Sequence, residues 1–161
     1  HQGRSEVGPR ALGNRSILFD PRIPNGKDIV NTVKKRESFR PFAGSVLEEH
    51  ADKWFYMIGL KSSPYMTFNL RVKETMQEYI PAITHVDGTC RIQTVNKEEN
   101  FHYYNLIKTF YINTKVPILL NTSFNLAGDP IVETVKQAIA SLKKSDLYYV
   151  YFPDVDMLVV K

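Results

Sequence analysis

The sequence has one cysteine in 161 residues. Cys90 has no intrachain partner, which excludes a disulfide framework and favours a reducing, cytoplasmic compartment. No stretch approaches the roughly 18 consecutive apolar residues of a membrane-spanning helix, so no membrane role is expected. No charged segment followed by an apolar one opens the chain, so no secretory signal is expected. The common nucleotide signatures are missing: there is no G-x-x-x-x-G-K-[ST] loop and no G-x-G-x-x-G after a strand. There is no G-x-S-x-G nucleophile elbow either. His1, His50, His85 and His102 are scattered, with no H-x-x-x-H pair, so no metal site is expected from this chain alone. Cys90 lies on an expected strand and reads as a small buried hydrophobe, not a nucleophile. The chain opens on His1-Gln2-Gly3-Arg4 and not on Met, which reads as a piece of a longer protein or a processed product.

What remains is ordinary globular material. The chain is 43% hydrophobic and 24% charged, and nine Tyr and nine Phe supply aromatic bulk for a core. Its length suits one domain. The net charge of +4 is unevenly spread. Residues 1–40 hold nine Lys/Arg against four Asp/Glu, net +5, and the rest of the chain is net −1. That asymmetry points to an anionic partner such as a nucleotide, a phosphorylated metabolite or a nucleic acid.

Helical and strand patterns interleave, so the fold class is α/β or α+β with a mixed sheet. Residues 1–16 read as a glycine- and arginine-rich loop, with room for a helical turn over Pro9–Leu12. Ile17–Phe19 reads as a strand. Asn25 reads as the cap of a helix that carries Ile29, Val30 and Val33 and ends in Lys34-Lys35-Arg36. Phe42–Leu47 and Tyr65–Val72 read as strands, and Glu48–Met57 and Thr75–Ile80 as helical. Ile83–Val86 and Thr89–Val95 around Asp87-Gly88 read as a hairpin. A helix over Asn100–Thr114, a buried strand over Val116–Leu120 and a helix over Thr134–Leu142 follow. Two strands, Leu147–Phe152 and Met157–Val160, end the chain.

Four polar clusters stand out. The first runs from Gly3 to Ser16, where arginines alternate with glycines and hydroxyls in a pattern suited to cradling an oxyanion. The second, Lys34 to Phe42, sets Lys34, Arg36 and Arg40 at a helix end. Lysine offers a point charge there and arginine a planar fork for phosphate oxygens. Phe39 and Phe42 are expected to anchor that segment to the core. In the third, Thr84 to Gln93, alternation puts Thr89, Arg91 and Gln93 on one face, with Gln93 expected toward solvent. The fourth follows the buried strand: Asn121-Thr122-Ser123-Phe124-Asn125, at a strand's carboxyl end, where open α/β sheets bind ligands.

Taken together, the strings GRSEVGPRALGNRSIL (3–18), VKKRESFRPFAGSVL (33–47), IPAITHVDGTCRIQTV (80–95), PILLNTSFN (117–125) and GDPIVET (128–134) resemble a known family. It is the C-terminal region of the carbamoyltransferases that include the nodulation protein NodU and the antibiotic O-carbamoyltransferases. The resemblance covers nearly the whole chain. Val7 stands where Phe is usual, Gly44 where Pro is usual and Cys90 where Ala is common.

The resemblance implies a YrdC-like domain over 17–161, a twisted mixed sheet with flanking helices. It implies that residues 1–16 form a junction loop to a missing N-terminal Kae1-like domain, which carries an iron-type metal and hands the carbamoyl group to an acceptor hydroxyl. It implies that this domain binds ATP, with Mg2+, and carbamoyl phosphate, and forms carbamoyl-adenylate. By position, Lys34, Arg40, Arg91 and Ser123 match its catalytic contacts, with Arg36, Asn121 and Asn125 as further binding residues. Arg4, Glu6, Arg10, Asn14 and Arg15 fall in the junction loop, expected to be mobile without its partner domain. The alternative is a basic RNA-binding module without adenylating activity, to which phosphate contacts would bring a steep salt dependence.

Overall fold

A computed structural model describes residues 1–8 and 11–161. The strands are β1 (Ser16–Phe19), β2 (Ala43–Leu47), β3 (Asn69–Arg71), β4 (Thr89–Val95), β5 (Ile118–Ser123), β6 (Tyr149–Phe152) and β7 (Met157–Val160). The helices are α1 (Gly26–Val33), α2 (Ala51–Trp54), α3 (Phe101–Thr114) and α4 (Val135–Lys144). Five strands form one mixed sheet in the order β1-β5-β2-β4-β3, and β6 pairs with β7 apart from it. Only β2 and β4 run parallel; the other neighbours in the large sheet are antiparallel.

The helix boundaries have local causes. The Asn100 side chain accepts the Tyr103 N–H at 3.2 Å and starts α3. Thr134 and Gln137 form a reciprocal capping box at the head of α4. Helix α1 stops because Lys35 turns left-handed (φ 55°), letting the Arg36 N–H reach Asn31 O at 3.0 Å and the Lys35 N–H reach Thr32 O at 2.9 Å. Asn25 precedes α1 as expected, but its side chain makes no capping bond.

Side chains alternate across a strand, so the register assigns each face. One face of the large sheet is apolar. Val46, Ile92, Ile118 and Leu120 pack there with Val30, Phe42, Phe55, Ile80 and Ile83 in the main core. Cys90 is fully buried in that core, as its strand position suggested. The opposite face is divided along its length. Leu47, Val95 and Leu119 lie under Tyr103, Tyr104 and Ile107 of α3. Toward the other end the same face turns polar, with Ala43 and Ser45 on β2, Arg91 and Gln93 on β4, and Asn121 and Ser123 on β5. The polar end gathers the starts of β2 and β4 and the finish of β5.

Several expectations from the sequence need correction. Ile83–Val86 forms no strand: it turns, putting Ile83 into the core, and the antiparallel partner of β4 is β3. The Asp87-Gly88 turn is present, with Gly88 at φ +76°. The strand in Tyr65–Val72 shrinks to β3, and Glu48–Met57 resolves into a 3-10 turn (Glu48–His50) and α2. The 3-10 segment Glu74–Tyr79 replaces the helix read over Thr75–Ile80. Within Pro9–Leu12, Pro9 and Arg10 lie outside the described residues, and Ala11 is left-handed (φ 63°). Among the described residues no helix is long and apolar enough to cross a membrane.

Candidate functional site

Two clefts meet at the polar end of the sheet. One, of about 580 Å3, is bordered by Lys34, Lys35, Arg36, Arg40, Ser123 and Asn125. The other, of about 490 Å3, is bordered by Arg36, Phe42, Tyr65, Arg91, Asn121 and Ser123. Arg36 and Ser123 belong to both. The residues expected from the second, third and fourth polar clusters, Lys34, Arg36, Arg40, Arg91, Asn121, Ser123 and Asn125, therefore converge on one composite site. They come from three places in the chain: the turn after α1, strand β4, and the end of β5.

Lys34 is buried, with 2% of its surface exposed. Its ammonium donates to Asn125 O at 2.9 Å, to Asn125 Oδ1 at 3.1 Å and to Ser123 O. Ser123 Oγ in turn donates to Asn125 Oδ1 at 2.6 Å. The Ala127 N–H returns to Lys34 O at 2.9 Å. The end of α1 and the segment after β5 are thus tied together across the first cleft. Lysine here is no solvated helix cap: it organises the Ser123–Asn125 turn from below.

Arg36 is held on two sides. Its Nε donates to Asn31 Oδ1 at 2.6 Å, and its guanidinium lies over the Phe42 ring, 4.5 Å from the centroid. Asn31 is buried, and its Nδ2 donates to Ser38 O and Arg40 O, both at 3.1 Å. One amide thereby shapes the whole Arg36–Arg40 turn. Asn31 was not singled out in the sequence; the available signal was a polar side chain on the inward stripe of α1. Phe42 anchors this segment as expected, but Phe39 is 75% exposed and does not.

The charge pattern around Arg36 is one-sided. Its affinity for its proton is lowered, first by burial and then by the neighbouring charges of Arg40 and Arg91, with Glu37 opposing. Glu37 pairs with Arg40 at 2.8 Å, with both side chains about half exposed. Among the described residues that border the two clefts, Glu37 is the only carboxylate. Cations held this close with so little compensation make a site for an anion.

Ala11 borders the second cleft, and the loop Ala11–Asn14 that carries it has most of its backbone groups hydrogen-bonded. Ala11 O accepts from Asn121 Nδ2 at 2.7 Å, and Leu12 O from Gln93 Nε2 at 2.9 Å. Glu6 Oε1 accepts the N–H groups of Leu12 (2.8 Å) and Asn14 (2.9 Å). Ser16 Oγ accepts the Gly13 N–H at 3.0 Å, and Gln2 Nε2 donates to Gly13 O at 3.1 Å. Ser45 completes the support: its Oγ donates to Gln93 Oε1 at 2.7 Å and accepts from Asn121 Nδ2 at 2.9 Å. Gln93 is therefore buried under the loop, not turned to solvent, because the loop covers that part of the sheet. Asn121 and Ser123 lie within β5, Asn121 paired to both β1 and β2 and Ser123 to β1, and not in a loop beyond its end.

The other junction-loop residues divide. Arg15 is buried, and its guanidinium donates to Gln2 O, Asn14 O, Gly3 O and Glu133 O. Every bond it makes goes to a backbone carbonyl, so it clamps the N-terminal segment instead of facing a ligand. Glu6 and Asn14 border a separate cleft with Asn96, Glu99 and Asn100. Arg4 is exposed, and its carbonyl accepts from Asn14 Nδ2 at 2.9 Å. Arg10 lies outside the described residues. The described part of this loop is hydrogen-bonded within the domain at most of its backbone groups, while the buried Glu6 Oε2 and Arg15 Nε make no hydrogen bond.

Comparison with known proteins gives the family of the chain. The family model described as "Carbamoyltransferase C-terminus" matches residues 1–160. The chain is 53% identical over 148 residues to the nodulation protein NolO of Bradyrhizobium diazoefficiens, covering 91% of this chain and 27% of that protein. It is 51% identical over 148 residues to the nodulation protein NolNO of Sinorhizobium fredii, covering 91% of this chain and 22% of that one. Nodulation protein U of Sinorhizobium fredii is 40% identical over 126 residues, covering 78% of this chain and 22% of that protein. The chain spans about a quarter of the length of these relatives. On the match over residues 1–160, the chain belongs to the carbamoyltransferase C-terminal family.

Proposed function

We propose that this chain is the part of a carbamoyltransferase that binds ATP and carbamoyl phosphate and forms carbamoyl-adenylate. One observation carries the reading: Arg36 borders both adjoining clefts, Arg40 lies on one and Arg91 on the other, and Glu37 is the only carboxylate among the described residues around them. Joining two polyanions is slow mainly because their charges repel. Fixed cations lower that barrier without a nucleophile or a dedicated base.

The two clefts differ in a way that suits a nucleotide. The first is bordered by Lys35, Arg40 and Ser123 and suits phosphate groups. The second adds Pro41, Phe42, Tyr65 and Met66 beside Arg91, and so offers an apolar surface for a planar ring next to a cation. Arg36, shared by both, sits where the bridging phosphate would lie. Arg91 and Arg40 neutralise the reacting phosphates, and Lys34 keeps the Ser123–Asn125 turn in place. Phosphate leaves carbamoyl phosphate as water supplies an oxygen; the resulting carbamate oxygen attacks the α-phosphorus of ATP, and pyrophosphate leaves. Mg2+ accompanying ATP would be held mainly by phosphate oxygens and water. No group of three or more His, Cys, Asp or Glu side chains placed to hold a metal is found among the described residues.

In the longer protein, a preceding domain would receive the carbamoyl-adenylate and pass its carbamoyl group to an acceptor hydroxyl. The experiment is a product assay for carbamoyl-adenylate with the full-length protein, its Arg40→Ala and Arg91→Ala variants, and no acceptor. Wild type should accumulate the adenylate. Each variant should form it at least about tenfold more slowly, the loss expected when one charge-assisted contact worth about 1.5–3 kcal/mol is removed. Variants that work at the wild-type rate would refute the assignment.

A further inference from the structure

We infer that Gln93 and Ser45 are positioning residues, which touch no ligand themselves but fix the Ala11–Asn14 loop and with it the Ala11 edge of the Arg91 cleft. The inference rests on the anion-site reading above and adds to it the part that sets the cleft's shape.

The geometry is specific. Ser45 and Gln93 sit opposite one another on the parallel pair β2 and β4. Both are buried, with Ser45 at 0% and Gln93 at 5% exposure. Gln93 spends its carbonyl on Ser45 and Asn121 (2.7 and 3.2 Å) and its amide on Leu12 O. Asn121 spends its amide on Ala11 O, Ser45 and Gln93. Both side-chain amides thus point their N–H groups outward from the sheet, at two successive loop carbonyls. Ser45 fixes that orientation, because its hydroxyl donates to one amide and accepts from the other. Glu6 grips the same loop from its N–H side.

The consequence falls on the ligand site. Ala11 borders the Arg91 cleft with Asn121 and Ser123, and it is held left-handed, a conformation costly for a residue with a Cβ. Such a backbone persists only where surrounding contacts over-determine it. Buried polar side chains spent entirely on a loop that lacks regular structure hold its position before ligand arrives, which removes an ordering cost from binding. A polar group under a solvent-facing loop with no such task would be cheaper as an aliphatic residue.

The test uses the full-length protein with three variants: Gln93→Met, Ser45→Ala and, as control, Thr94→Val. Thr94 is buried next to Gln93 on the other face of β4, where its Oγ1 accepts the Ser63 N–H at 2.9 Å, away from the loop. Amide hydrogen exchange at Leu12 and Asn14 and the kinetics of adenylate formation are measured together. For Gln93→Met and Ser45→Ala, exchange should rise and the KM for ATP should increase about tenfold, with kcat within about twofold. Thr94→Val should leave all three near wild type. Unchanged exchange and KM in Gln93→Met overturn the inference. So does an equal KM rise in Thr94→Val, which would mark a general loss of packing. If wild type itself fails to bind ATP, the adenylation reading falls, and the exchange data alone decide whether Gln93 and Ser45 hold the loop.

Discussion

Gly13→Ala should be the most damaging single-methyl change in the N-terminal segment. Gly13 has φ +112°, a conformation that residues with a Cβ rarely adopt. An added Cβ would stand 2.3 Å from Tyr103 Cδ1 and 2.8 Å from Cγ. The Tyr103 ring is buried on α3 and belongs to the Leu47–Leu119 cluster, so it has little room to yield. Backbone strain costs about 1–3 kcal/mol, and overpacking a core contact costs about 1–3 kcal/mol. The sum, about 2–6 kcal/mol, is a large part of a domain's typical stability. Gly8→Ala is the matched control: its φ is +82°, but nothing lies within 4 Å of the added Cβ, so only the backbone cost remains. Urea unfolding of both variants, compared at equal m, isolates the steric part. If Gly13→Ala unfolds within about 1 kcal/mol of Gly8→Ala, the loop is not pressed against Tyr103 as described.

Three other outcomes follow from the packing. Burial pushes the Cys90 thiol up to about 12, so the folded chain keeps its proton after the unfolded chain has lost it. The stability this supplies is complete below the ordinary thiol range and is lost as pH rises from there toward 12. Wild type should therefore lose ground to Cys90→Ala by about 1.4 kcal/mol per pH unit above roughly pH 9, and parallel urea-midpoint profiles would contradict that burial. Phe42→Ala should cost about 3–5 kcal/mol, whereas Phe39→Ala should stay within about 0.5 kcal/mol of wild type; thermal unfolding of the pair reads the difference. Lys34→Met should destabilise by about 1–3 kcal/mol by stripping a donor from Ser123 O and Asn125 O, a loss visible in the same melts; an unchanged midpoint would mean those carbonyls find other partners.

The sequence was most legible where periodicity and charge spoke locally. Helix α3, the buried run that became β5, and the terminal strands β6 and β7 follow from pattern alone. The cations of the site were legible as well, since Lys34, Arg36, Arg40 and Arg91 stood in short polar strings that structure alone would not choose. What escaped was whatever depends on a distant segment. Gln93 alternates correctly with Arg91, but nothing nearby says that residues 11–14 will cover one of them and leave the other open. Asn31 sits inside a helical stripe, where an amide reads as a flaw until the turn it holds, seven to nine residues on, is in view. Ile83–Val86 has a strand's composition, but β2 and β3 already flank β4 and leave it no vacant edge. Phe39 and Phe42 look alike in sequence, and only the path of the chain after Arg36 decides which one is buried.

The most direct test of the anion cleft is calorimetric titration of the chain with adenosine, AMP and ATP at two salt concentrations, repeated with Arg91→Ala. Convergent arginines require affinity to rise with ligand charge, to fall as salt is raised, and to drop at least about tenfold for ATP in the variant. Adenosine binding as tightly as ATP, or an Arg91→Ala chain that binds ATP like wild type, would contradict it.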